Sequence, residues 1–141
     1  MSTRLTYTSG ALGSETDEEF EAGLAAARAD AAEPLPHLVG GHELTLGQPF
    51  ERLDPSRDGE VASRAHDAPP AVVTRAVDAA RAAASGWRNT PYAERCQRMR
   101  AVAAGIGERH LELAAVVSLE TGKSRTESIL EVQEAVDLIT T

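Results

Sequence analysis

The chain has 141 residues, a formal net charge of −8 and 42% hydrophobic residues, of which only five are Trp, Tyr or Phe. The acidic balance argues against nucleic acid and anionic membranes as partners, because neutralising phosphate requires clustered Lys and Arg. A single cysteine excludes an internal disulfide framework, and no stretch approaches the roughly 18 continuous apolar residues of a membrane span. The polar start lacks the apolar segment of a signal peptide, so a soluble cytoplasmic protein is expected.

The N-terminal part is predicted to be an arm followed by one helix. Residues 1–16 are polar and rich in Gly, Ser and Thr, which predicts an extended or disordered arm. Residues 17–32 carry apolar side chains at helical spacing and begin with acids, which the positive end of a helix dipole favours. Pro34 and Pro36 end this helix. Residues 1–34 are therefore predicted to form a unit ahead of the rest of the chain.

Two strand ribbons are predicted next. Residues 37–46 are typical of a hairpin whose tight turn is Gly40-Gly41, since such a turn requires positive φ angles. Residues 50–53 and 60–65 predict a second ribbon around a Pro/Asp/Gly turn. We expect these ribbons at the margin of a larger sheet.

The sequence from Pro69 onward predicts four helices. The first has Gly86 as a plausible C-cap. The second begins with Thr90 as N-cap and Pro91 at its first position. The predicted inner face of the first helix consists of Val73, Ala76, Val77, Ala80 and Ala84, and that of the second consists of Cys96, Met99, Ala103 and Ile106.

The last two helices have clearer boundaries. The third is predicted over residues 108–121 and closes at Gly122. The fourth begins with a capping box of Ser124 and Glu127. It is expected to bury Ile129, Val132, Val136 and Ile139. No stop signal follows before Thr141, so the sequence is expected to be the front portion of a longer protein.

Several short segments match a known family in order and spacing. They are Leu38–Gly41, Asp54-Pro55, Gly59–Val61, Ala76–Arg81, Trp87, Thr90-Pro91, Glu94-Arg95 and Glu120–Lys123. Together they resemble the N-terminal region of the aldehyde dehydrogenase superfamily. The helix over residues 17–32 and the segments 122–125 and 131–139 further resemble the branch that oxidises L-glutamate γ-semialdehyde in proline catabolism, the 1-pyrroline-5-carboxylate dehydrogenases.

This resemblance implies an α/β fold in which β-ribbons are followed by helices that pack on a doubly wound NAD-binding sheet lying mostly downstream. Residues 35–141 would be the N-terminal part of that NAD-binding domain, truncated within a helix. The family's catalytic Cys and Glu also lie downstream of this chain. So do the Asn that stabilises the oxyanion and the residues that bind the cofactor phosphates. The resemblance therefore implies NAD or NADP as the cofactor and a small aldehyde as the substrate. It also implies that the chain contacts the remainder of the enzyme and that the full-length enzyme is a homo-oligomer. It places no catalytic or cofactor-binding residue in this chain.

Three glutamates of the last helix, Glu127, Glu131 and Glu134, form an acidic stripe. On sequence alone a solvated helix face is favoured. The resemblance implies more for Glu134, because in the glutamate-semialdehyde branch an acidic residue on this helix lies near the charged backbone end of the substrate. A carboxylate there suits an ammonium group, since a charge-assisted hydrogen bond is about twice as strong as a neutral one. Glu134 is the predicted substrate-binding residue.

Two further residues have competing interpretations. Glu120 matches a position that contributes, in some family members, to a bound monovalent cation, which makes it the predicted metal-site residue. A helix-end carboxylate paired with Lys123 is the favoured alternative. Cys96 lies on an amphipathic helix with no nearby His, so a buried structural thiol is favoured over a nucleophile.

The four histidines, His37, His42, His66 and His110, lack the spacing of a metal site. His37 and His42 flank the hairpin turn, and a pairing across it without metal is favoured. The sequence thus predicts the N-terminal part of an NAD(P)-dependent aldehyde dehydrogenase, inactive by itself. A free-standing, non-catalytic helical interaction domain is the alternative.

Overall fold

The structure is a computed structural model that describes residues 14–141. One helix is followed by two strand pairs and then by four helices, as the sequence predicts. Their bounds are α1 Ser14–Asp30, β1 His37–Val39, β2 His42–Leu44, β3 Pro49–Leu53, β4 Val61–His66, α2 Pro70–Asn89, α3 Tyr92–Glu108, α4 His110–Thr121 and α5 Arg125–Thr140. In this described range no helix is both long and apolar enough to cross a membrane.

The two ribbons are antiparallel pairs with glycine turns. β1 pairs with β2, and the turn between them has φ of 60° at Gly40 and 81° at Gly41, which confirms the predicted tight turn. β3 pairs with β4 with an irregularity at Arg52/Leu53, and Gly59 in the connecting turn has φ of 75°. A parallel bridge between Leu35 and Ala65 joins the chain before β1 to the second ribbon.

Helix α1 starts earlier than the sequence predicts. Most of the predicted arm lies outside the described residues, but residues 14–16 are helical rather than extended. The predicted apolar stripe is confirmed, because Phe20 and Ala31 are buried. Phe20 joins a core whose other buried members come from α4 and α5, namely Ala114, Ala115, Ile129 and Val132.

Small side chains let α1 approach α4 closely. A Cβ placed on Gly23 would lie 3.3 Å from the Ala115 Cβ and 3.3 Å from the Glu112 Cα. Such spacing is tighter than ordinary van der Waals contact between carbon atoms. The Ala-rich composition therefore gives a core that is held by close helix approach as well as by large side chains.

Helix α2 differs from the prediction in its length and in the face it buries. It continues through Gly86 to Asn89, so Gly86 is not its C-cap. Val72 is buried, whereas Val73 and Val77 of the predicted inner face are 51% and 43% exposed. The helix is amphipathic, but most of its apolar face is exposed within the described residues, so the periodicity predicted the apolar side and not whether that side is packed.

The α2–α3 junction also corrects the predicted cap. Thr90 is the C-cap of α2, and its Oγ1 donates a hydrogen bond to the Gly86 carbonyl at 2.9 Å. Pro91 then occupies the N-cap position of α3. The residue before a proline is pushed out of the helical region, and Thr90 accordingly has φ −65° and ψ 129°.

The C-terminal end of α4 confirms the prediction, and the apolar stripe of α5 confirms it in part. Gly122 closes α4 with φ of 72°, and its amide donates to the Ser118 carbonyl. Of the apolar stripe predicted on α5, Ile129 and Val132 are buried, while Val136 and Ile139 are half-buried.

Candidate functional site

The start of α5 is held by the predicted capping box. The Ser124 amide donates to Glu127 Oε2 at 2.9 Å, and the Glu127 amide donates to Ser124 Oγ at 3.4 Å. Hydrogen bonds from the Ser124 hydroxyl and amide keep the pKa of Glu127 below its ordinary value. This interaction fixes where the helix begins and hence which side chains face the core.

The other two acids of the α5 stripe have different surroundings. Glu131 Oε1 lies 2.6 Å from the Nζ of Lys123, so Glu131 forms an ion pair. Glu134 is exposed, and the structure gives it no ion pair or side-chain hydrogen bond within residues 14–141. All three glutamates are exposed, as a solvated helix face predicts, but Glu127 caps the helix, Glu131 pairs with Lys123, and Glu134 has neither kind of contact within residues 14–141.

Glu120 lies in the last turn of α4 and is half-buried. It lines a cleft of about 190 Å³ between α1, β4 and α4, together with Arg64 and Arg109. Lys123, the expected partner of Glu120, forms an ion pair with Glu131. The described residues place no group of three or more His, Cys, Asp or Glu side chains where they could hold a metal ion, so a cation role for Glu120 stays a prediction.

Cys96 is half-buried, which corrects the expectation of a fully buried thiol. It lies one helical turn after Tyr92 on α3, and a hydrogen bond with the Cys96 thiol raises the pKa of the Tyr92 hydroxyl. Trp87 and Met99 line the adjoining cleft. The surroundings are aromatic and apolar with flanking arginines, and within residues 14–141 no His makes a hydrogen bond with this thiol.

The histidines are arranged differently from the sequence prediction. His42 lies opposite Val39 in the ribbon, and His37 lies opposite Leu44, so His37 and His42 do not face each other. The ring of His37 instead lies 6.3 Å, centroid to centroid, from the ring of His66 at the end of β4. No spacing rule could have found this pair, because it depends on where β1 lies relative to β4.

A buried ion pair connects α1 to the second ribbon, and sequence reasoning missed it. The Asp54 side chain is only 2% exposed, and its Oδ2 lies 2.8 Å from the Nη2 of Arg28. The Ser56 amide donates to Asp54 Oδ1 at 2.8 Å. Burial acts to raise the pKa of Asp54, but the hydrogen bonds from Ser56 and Arg28 and the positive charges of Arg28 and Arg57 together lower it by more, so its pKa lies below the ordinary value.

Comparison with known proteins identifies the family. The family model described as "Aldehyde dehydrogenase family" matches residues 43–141, more than two thirds of the chain. The chain belongs to the aldehyde dehydrogenase family. This confirms the resemblance inferred from the short motifs.

Among curated aldehyde dehydrogenases, the 1-pyrroline-5-carboxylate dehydrogenase of Staphylococcus haemolyticus is 26% identical over 89% of the chain and 24% of its own length. The α-ketoglutarate semialdehyde dehydrogenase of Haloferax volcanii is 34% identical over 75% of the chain and 22% of its own length. The chain therefore spans about a quarter of the length of these relatives.

Solved structures of this family match the fold. A structure of Thermus thermophilus 1-pyrroline-5-carboxylate dehydrogenase is similar over 99% of the chain and 27% of that protein, with a TM-score of 0.87 and 26% identity. A Thermus 1-pyrroline-5-carboxylate dehydrogenase structure with bound NAD has the same TM-score. An NAD-dependent aldehyde dehydrogenase of Sinorhizobium meliloti covers 80% of the chain with a TM-score of 0.74 and 33% identity. The ribbons and helices are thus the N-terminal portion of an aldehyde dehydrogenase fold.

Proposed function

We propose that the chain forms the N-terminal part of an NAD-dependent dehydrogenase that oxidises L-glutamate γ-semialdehyde to glutamate. The observation that carries this proposal is the extent of the structural match. Structures named 1-pyrroline-5-carboxylate dehydrogenase match nearly the whole chain and so include α1, whereas the Sinorhizobium aldehyde dehydrogenase covers less. Helix α1 is integral to the packing, because Phe20 lies in the core and Arg28 pairs with Asp54.

The chain's own contribution to this activity is proposed to be structural and substrate-binding. In this proposal the remainder of the enzyme would supply the thiol that adds to the aldehyde and the carboxylate that activates the hydrolytic water, and bound NAD would supply the hydride acceptor. Residues 1–34 would be an arm and helix, and residues 35–141 the front of the NAD-binding domain. The assembled enzyme is proposed to be a cytoplasmic homo-oligomer.

Glu134 is the residue proposed to meet the substrate. It is exposed on α5, a helix whose register is set by the capping box, and its carboxylate is available to an ammonium group. Such a charge-assisted hydrogen bond is worth roughly 1.5–3 kcal/mol. Since 1.4 kcal/mol corresponds to a factor of ten, Glu134→Ala in the dehydrogenase containing this chain should lower kcat/KM for glutamate semialdehyde by about ten- to 150-fold.

Two comparisons make this test specific. N-succinylglutamate 5-semialdehyde has an acylated nitrogen and no ammonium, so its kcat/KM should change little in the same variant. The matched control is Glu131→Ala, which removes a carboxylate three residues earlier that already pairs with Lys123. Equal losses of kcat/KM for both substrates would show that Glu134 acts in folding. No loss for either substrate would show that Glu134 is only a solvated residue on the helix surface.

The role of the chain as part of an enzyme has its own test. The purified 141-residue chain, supplied with glutamate semialdehyde and NAD, should form no NADH, because no nucleophile–base pair is found within residues 14–141. NADH formation that is lost on Cys96→Ala would contradict this expectation. A native protein whose intact mass equals the 14.9 kDa of this chain would favour the non-catalytic interaction domain instead.

A further inference from the structure

Arg125 joins the first turn of α5 to helix α1. Its guanidinium donates hydrogen bonds to the carboxylates of Asp17 and Glu21, two acids that lie one turn apart on α1. The Arg125 Cζ also lies 4.9 Å from the centroid of the Phe20 ring on the same helix. The Arg125 side chain is 32% exposed, so these contacts are partly sheltered from solvent. Three side chains of one neighbouring helix thus hold Arg125.

The contacts of Arg125 restrain α5 in a way that its core contacts do not. Ile129 and Val132 bury one side of α5, but apolar contact is not directional. Hydrogen bonds from a guanidinium to carboxylates have a fixed geometry, so they resist rotation of the helix about its axis. On the side of α4, His110 Nε2 donates to the Ile129 carbonyl oxygen at 2.8 Å. Arg125 therefore supplies, from the side of α1, a directional contact that orients α5.

The orientation of α5 determines where the Glu134 carboxylate lies. Glu134 follows Arg125 by nine positions, which is about 13.5 Å along a helix and about half a turn around it. A helix with its side chains has a radius of roughly 5–6 Å, so a rotation of about 10° would move this carboxylate by about 1 Å. A binding group has to be held within about 0.5 Å of its productive position. A small rotation of α5 is therefore enough to weaken a contact with a substrate.

We propose that Arg125 is a positioning residue for Glu134, and that α1 contributes through it to the recognition of an ammonium-bearing aldehyde without touching the substrate. This inference rests on the substrate role proposed for Glu134. It goes beyond that role, because it makes selectivity for the ammonium group depend on Asp17 and Glu21 at the other end of the chain.

The test measures KM and kcat of the dehydrogenase that contains this chain, with glutamate semialdehyde and with N-succinylglutamate 5-semialdehyde. Arg125→Gln should raise KM for glutamate semialdehyde at least about threefold and leave its kcat, and both constants for the succinylated substrate, near wild type. The double variant Asp17→Asn/Glu21→Gln should give the same selective loss. In a Glu134→Ala background, Arg125→Gln should raise KM no further, because the carboxylate that it positions is gone.

Two controls separate positioning from folding. Asp17 and Glu21 side chains are 46% and 59% exposed, so the double variant leaves the core intact and is decisive if Arg125→Gln folds poorly. A folding defect would lower kcat for both substrates at unchanged KM, because less enzyme is active. The matched control is Arg98→Gln, which removes an arginine that pairs with Glu94 within α3 itself.

The outcomes also distinguish this inference from the proposed function. Wild-type KM in the Asp17→Asn/Glu21→Gln variant, equal losses for both substrates, or the same selective loss in Arg98→Gln would each overturn the positioning role. A selective loss in Glu134→Ala without one in Arg125→Gln would overturn this inference alone. No selective loss in Glu134→Ala would overturn the substrate role of Glu134 and this inference with it.

Discussion

Substituting Asp54 should weaken the link between helix α1 and the second ribbon and so lower the free energy of unfolding. Asp54→Asn keeps the shape and the acceptor for the Ser56 amide but removes the charge that faces Arg28. The lost interaction is one hydrogen bond between charged groups on a side chain that is 2% exposed, worth roughly 1.5–3 kcal/mol. Glu60 contacts the same guanidinium but is 48% exposed, so Glu60→Gln should cost only about 0–1 kcal/mol.

Urea denaturation of the chain, followed by circular dichroism, gives the free energy of unfolding for both variants. The pH dependence adds a second check. Because the folded-state pKa of Asp54 is lowered, its stabilising contribution is present above about pH 4 and is lost as the pH falls through the folded-state pKa. Asp54→Asn should therefore destabilise the chain at pH 7 and lose its difference from wild type in strong acid. Equal losses for Asp54→Asn and Glu60→Gln at pH 7 would refute the argument that burial strengthens the Asp54 contact.

Two further substitutions test the backbone and the core by the same denaturation assay. Gly47 has φ of 95°, and a Cβ there would lie 1.8 Å from the Asp67 carbonyl oxygen, so Gly47→Ala should destabilise the chain by more than the roughly 1–2 kcal/mol of a left-handed residue alone. Gly41→Ala is its control, since Gly41 also has positive φ but open space around it; similar costs for the two would contradict the steric argument. Ser128 is fully buried and its hydroxyl has no partner within the described residues, so Ser128→Ala should be neutral or stabilising, and a loss above about 1 kcal/mol would reveal a missed hydrogen bond.

Local rules predicted the features that depend on a few neighbouring residues. The Gly40-Gly41 turn, the Gly122 helix end and the Ser124–Glu127 capping box were all predicted correctly, because positive φ angles and helix caps are set by adjacent residues. Thr90 shows the limit of this reasoning. It is a good N-cap residue by type, but Pro91 fixes its backbone so that its hydroxyl bonds back to α2.

Long-range contacts were beyond sequence reasoning. Arg28 and Asp54 are 26 positions apart, and no periodicity connects a helix to a turn in a later ribbon. The His37–His66 pair is of the same kind, whereas the predicted His37–His42 pair considered only the hairpin itself. On α2, the apolar face was predicted from its periodicity, but Val73 and Val77 on that face are exposed and only Val72 of this helix is buried within the described residues, so periodicity could not show whether the face is packed.

The acids of α5 show how local and long-range constraints together define a candidate site. The capping box uses Glu127, and the ion pair with Lys123 uses Glu131, so both carboxylates stabilise the helix start and its connection to α4. Ile129 and Val132 anchor the opposite side in the core. Glu134 is two residues beyond Val132, about 200° around the helix, and it faces solvent. The helix thus presents one exposed carboxylate that has no ion pair within residues 14–141, and the proposed recognition of a substrate ammonium group would require a charge held in place by such a support.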